Sequence, residues 1–220
     1  MPLSASVTFM AEQLTMNRVI HAAVRRDLTR LDAALGAVAD GDTARAQQLQ
    51  RAYAALHEQL SHHHRQEDTY IFPTLERLGL DPTLVAEMDS EHHKMAEALD
   101  ETATVMRRYA ASASAADAGS ALASVRSTTQ VVERHLAHEE AELEPLMEPY
   151  LEDPTFKQAE KDLRKGPVTQ SGVFFAWLTD GMEPHVESSL KSYVPGPVVL
   201  VLSKVFGRRY YREVAPAWKV

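Results

Sequence analysis

The sequence predicts an all-α chain: an up-down-up-down four-helix bundle over residues 1–150, then a C-terminal extension of short helices over residues 151–220. Three observations carry this. Apolar residues recur in steps of three, four or seven through four long segments, the pattern of an amphipathic helix. The links between those segments are too short to run the length of a bundle, which favours antiparallel neighbours. Beyond residue 150, Pro and Gly recur often enough to break the chain into short pieces.

The first helix carries Met10, Leu14, His21, Val24, Leu28, Leu31 and Leu35, and Gly36 to Asp42 ends it. The second carries Leu49, Leu56, Leu60, His63, Glu67 and Tyr70, with Tyr53 on the same face. Gly79-Leu80-Asp81-Pro82 then stops one helix and starts the next, Asp81 as N-cap and Pro82 in the first helical position. The third carries Met88, His92, Met95, Leu99 and Met106. The small residues from Ala110 to Ser120 read as a linker, and the fourth helix carries Val125, Thr128, Val132, His135, Glu139 and Leu143. In the extension, Val173 to Leu178 and Val198 to Leu202 are apolar runs, and Ser203 to Arg212 reads as a basic stretch. These runs are expected to pack on the bundle or on a second subunit, the latter giving a homo-oligomer.

Composition narrows the chemistry. The chain has 220 residues, no cysteine and a formal charge of −8. Disulfides, thiolate zinc sites and cysteine-ligated iron–sulfur clusters are therefore excluded. The charge is uneven: acidic residues dominate up to residue 156, and basic ones afterwards. An acidic body argues against nucleic acid as a partner. No apolar run is long enough to span a bilayer, and the start MPLSASVTFMAEQL lacks a signal-peptide pattern, so a cytoplasmic location is expected.

Within the helices two stretches repeat each other. His63-x-x-x-Glu67-x5-Pro73 aligns without a gap with His135-x-x-x-Glu139-x5-Pro145. His21 precedes the first stretch by nearly the spacing at which His92 precedes the second. Residues at i and i+4 share a helix face, so each half offers a histidine and a histidine–glutamate pair. All six residues fall within the apolar stripes. Burying four imidazoles and two carboxylates without partners is costly, and a bound cation removes that cost. Imidazole with carboxylate suits Fe, Mn or Zn, and a glutamate four residues from its histidine is well placed to bridge two ions. The rival is a polar core in which each histidine pairs with a carboxylate. His138, with Glu142 four residues on, competes with His135 and Glu139 for the inward position. His64, beside His63, is a further candidate for the surroundings of the metal, and Tyr70 for lining a ligand pocket.

The order His21, His63-x-x-x-Glu67, His92, His135-x-x-x-Glu139, with Phe72-Pro73 and Glu144-Pro145 after the pairs, resembles the hemerythrin-like (HHE cation-binding) family over about residues 8–150. The resemblance implies a di-iron centre, two iron ions joined by an oxo or hydroxo bridge. By that analogy His21, His63, His92 and His135 are terminal ligands, and Glu67 and Glu139 bridge. Oxygen-carrying members have a fifth histidine one turn after the third-helix histidine, where this chain has Ala96. They place the last carboxylate five residues after the fourth-helix histidine, whereas this chain offers Glu139 at four and Glu140 at five. The expected activity is therefore reaction with a small oxidant: H2O2 in a catalase-like disproportionation, or O2 or NO. The competing expectation is a non-enzymatic role in O2 binding, oxygen or iron sensing, or iron storage.

Overall fold

The computed structural model describes residues 13–219, and no strand occurs among them. Four long helices form the body: α1 (Met16–Leu35), α2 (Thr43–Gln66), then, after the short α3 (Phe72–Leu78), α4 (Pro82–Ser112) and α5 (Ala115–His138). Each of α1 and α4 packs against both α2 and α5, which closes a helical bundle around one core. The stripe residues from Val24 to Leu35, Leu49 to Leu60, Met95 to Met106 and Val125 to Val132 named above are buried there.

The caps explain the boundaries. The Thr15 hydroxyl accepts from Arg18 N at 3.1 Å, so α1 starts after it and Leu14 lies outside the helix. Met10, assigned to the same stripe, lies outside the described residues. Asp81 accepts from Thr83 N at 2.8 Å and caps α4. The expected linker from Ala110 to Ser120 is instead almost all helix: α4 runs to Ser112, Ala113 turns in the left-handed region at φ 51°, and Ser114 caps α5. Alanine is a strong helix former, and a serine N-cap needs only one residue to start a helix, so small side chains here did not mean a loop.

Both repeats end in the same irregularity. After α2 the chain makes a wide π turn, Glu67–Ile71, in which Phe72 N–H reaches the Glu67 carbonyl. After α5 it makes another, Glu139–Leu143, in which Glu144 N–H reaches the Glu139 carbonyl. Pro73 and Pro145 follow each turn. A proline has no N–H, and its ring collides with the carbonyl four residues back, so the preceding turn widens by one residue. The chain continues through α6 (Glu144–Met147) to a short 3-10 turn, Glu148–Tyr150.

The extension folds as α7 (Pro154–Leu163), α8 (Val168–Thr179), α9 (Pro184–Tyr193), α10 (Gly196–Val201) and α11 (Arg208–Glu213). It lies on the bundle. Ala176, Trp177, Leu178, Val186, Leu190 and Tyr210 join the core cluster of the four long helices. Trp177 Nε1 donates to buried Asp27 of α1 at 2.8 Å, and Arg26 donates to the carbonyls of Trp177 and Leu178. At the other end, α7 packs on the Glu67–Ile71 turn, and Phe156 joins a second apolar cluster with Ile71, Phe72, Leu75, Leu80, Val85, Met88 and Leu143. No helix among the described residues is long and apolar enough to cross a membrane.

Candidate metal centre

The histidines and glutamates of the two repeats meet between these two apolar clusters. His21, His63, His64, Glu67, His92, His135 and Glu139 are all buried. They form two neighbouring groups. In one, His21, His63 and Glu139 each bring a ligating atom within 4.8 Å of the others; in the other, His64, His92 and His135 do the same.

The two glutamates lie between the groups. Glu67 Oε1 is 3.3 Å from His63 Nε2, while Glu67 Oε2 is 3.7 Å from His92 Nε2. Glu139 Oε2 is 3.2 Å from His21 Nε2 and 3.7 Å from His135 Nε2. Each carboxylate thus faces one imidazole from each group. The π turns help here. They begin at Glu67 and Glu139 themselves, so the carboxylates keep helical spacing from His63 and His135 while the chain beyond is re-aimed.

Outer carboxylates fix the rings. His21 Nδ1 lies 2.8 Å from Glu140 Oε1, His92 Nδ1 2.7 Å from Asp68 Oδ1, and His135 Nδ1 2.9 Å from Glu91 Oε2. An ionised carboxylate only accepts, so each Nδ1 donates outward and each Nε2 is turned inward, where it presents a lone pair whenever the ring is neutral. His92 Nε2 and His135 Nε2 then face each other at 3.2 Å, and His21 Nε2 faces the Glu139 carboxylate. A cation between them would satisfy lone pairs so placed. Five atoms of the cluster, His21 Nε2, His63 Nε2, His64 Nε2, Glu67 Oε2 and Glu139 Oε2, are buried without a hydrogen-bond partner among the described residues. Leaving even one such group unpaired costs about 1–3 kcal/mol. The donor set, imidazole and carboxylate, is that of first-row transition metals and zinc.

In the metal-free chain, protons take up part of this strain. Burial opposes the charged form of His21, but the adjacent Glu139 carboxylate and the hydrogen-bonded Glu140 carboxylate win and raise its pKa to about 9. Burial, reinforced by the Glu139 charge, pushes Glu67 well above the usual carboxylate range. Glu139 goes the other way: burial is outweighed by His21 and the other imidazoles, which hold it low. Burial, with neighbouring imidazoles, pushes His63 down to about 3 and His64 well below its ordinary value. Neutral imidazole is the form that binds a metal.

The structure therefore gathers His21, His63, Glu67, His92, His135 and Glu139. His138 is only partly buried; its Nδ1 pairs with Glu91 Oε1 at 3.0 Å, outside the cluster, so His135 holds the inward position. Tyr70, expected on the inward stripe of the second helix, faces outward. It is 36% exposed and lines a groove with Thr74, Arg77 and Gln158, because the π turn adds a residue and brings Ile71 inward instead. His64 sits in the cluster itself. Of the Nδ1 partners, Asp68 and Glu140 stand one residue after the repeat glutamates and are marked by that position as acidic neighbours of the site, whereas nothing in the sequence marks Glu91. A cavity of about 340 Å³ opens beside His64 and His92, also lined by Arg65, Asp68, His57 and Ala96.

A family model described as Hemerythrin HHE cation binding domain matches residues 16–147, more than half of the chain. No curated protein and no solved structure matches it.

Proposed function

The chain belongs to the hemerythrin HHE cation-binding family, and from that premise we propose that it is a non-haem di-iron protein reacting with a small oxidant, foremost H2O2. The observation that carries the reading is the inward set of lone pairs, with His92 Nε2 and His135 Nε2 at 3.2 Å and both glutamates shared between the two groups. His21 and His63 would hold one ion, His92 and His135 the other, and Glu67 and Glu139 would span both. Bound, a pair of irons supplies the two-electron couple that peroxide disproportionation needs.

The protein's own groups set the conditions. Asp68, Glu91 and Glu140 keep the Nε2 lone pairs aimed inward. Arg25 pairs with Glu140 at 2.7 Å and shields that carboxylate from drifting toward solvent. The apolar cluster of Ile71, Phe72, Leu75 and Phe156 keeps water from the far side, with Phe72 stacked 5.3 Å from His92. Access is from the cavity at His64 and His92, a polar mouth also lined by Asp68, Arg65 and the His57–Asp100 pair, 2.9 Å apart. A polar, water-accessible mouth favours peroxide turnover over a long-lived oxygenated complex. The competing reading is reversible O2 binding or sensing, and the observation favouring it is the fifth imidazole, His64, in the cluster.

The experiment is turnover on protein of measured iron content. O2 evolution from H2O2 should scale with bound iron, vanish in Glu67→Ala and persist in His138→Ala. Reversible O2 uptake, released under argon, with peroxide left untouched, would transfer the assignment to carriage or sensing.

A further inference from the structure

We propose that His64, one residue past the repeat histidine His63, supplies the third imidazole to the metal ion held with His92 and His135, replacing the histidine that the resemblance places at Ala96. The inference rests on the reading that the centre holds two ions.

The geometry is specific. The His64 ring stacks on His92 at 4.2 Å between centroids and meets His135 edge-on at 5.5 Å. One ligating nitrogen of each ring lies within 4.8 Å of the other two. His64 Nε2 is buried and has no hydrogen-bond partner among the described residues. A histidine kept in a core only for packing would be expected to pair both nitrogens or give way to an apolar residue. The second repeat does the latter: Leu136 stands where His64 would be, and it is fully buried.

The placement follows from α2. This helix packs against both α1 and α4, so its inner side spans two neighbours. Successive residues are turned by about 100° on a helix. His63 therefore joins His21 of α1, while His64 joins His92 of α4. Ala96, one turn after His92, is exposed and lines the cavity together with His64. The imidazole has moved across the helix pair, and the side it left is where the cavity opens.

Anaerobic titration with Fe(II) tests this. Wild type should bind two equivalents. His64→Leu, which copies Leu136 of the other repeat, should keep one tight equivalent and bind the second at least about tenfold more weakly, with the metal-free melting curve unchanged. His62→Leu should bind both as wild type does. Where the variant does not fold, wild-type protein substituted with Co(II) decides. Five paramagnetically shifted exchangeable ring N–H resonances support ligation by His64, and four overturn it. Two unweakened equivalents in His64→Leu also overturn it. Wild type that binds fewer than two ions overturns the two-ion reading itself, and this inference with it.

Discussion

At the scale of the residue, the centre is a problem of protons and cations sharing one space. Three imidazoles are held by outer carboxylates with their Nε2 atoms inward, and two buried glutamates stand among them. Glu139 and Glu140 raise His21 to about 9, and burial with the Glu139 charge pushes Glu67 above the usual carboxylate range. A proton held on any of these atoms must leave before that atom binds a metal. Loading at neutral pH is thus predicted to release protons, and affinity is predicted to rise with pH. Calorimetry in buffers of different ionisation enthalpy measures the number released; binding without release, at an affinity constant between about pH 6 and 8, would contradict the assignment. The six residues the structure brings together were legible because period and repetition marked them twice. His64 was less legible because one helical step takes it off the stripe, and only the packing of α2 between two neighbours brings it back.

At the scale of the element, glycines and prolines decide where helices can meet. Pro73 and Pro145 explain two π turns whose existence the repeat contained but whose consequence, the outward turn of Tyr70, it did not announce. The alanine-rich stretch before α5 misled in the opposite sense, since composition alone does not separate a linker from a capped helix. In the extension, α8 crosses the π turn Leu202–Phe206 at Gly172 and Gly207, and a Cβ at Gly172 would collide with Phe206 and Gly207. Gly172→Ala is predicted to lower stability by about 1–3 kcal/mol through this overpacking. Gly119→Ala, in an exposed turn of α5 with open space around it, is predicted to raise stability by up to about 1 kcal/mol. Urea denaturation of both variants checks the pair; equal effects would show that the crossing is not tight.

At the scale of the whole molecule, a polar layer lies between two apolar ones. The larger cluster joins the four long helices to α8, α9 and α11, and the smaller lies under the π turns with α7. Each element of the extension that touches these clusters covers side chains that the bundle alone would expose. Ending the chain after Asp153 is therefore predicted to leave Asp27 without its Trp177 donor, bare the α1 face and reduce solubility and melting temperature. A truncated protein of unchanged size in gel filtration and unchanged melting temperature would show that the extension contributes nothing to the fold. The amphipathic periods made the bundle legible. That the extension packs on the bundle or a partner was expected; where it docks was not legible, because its short helices carry no long period and its contacts depend on distant partners such as Arg26 and Asp27. The central claim is that the polar layer holds two irons per chain. Metal analysis with Mössbauer spectroscopy on protein expressed with ample iron tests it most directly. The account predicts about two equivalents of iron in one coupled centre, and one zinc per chain with no iron would contradict it.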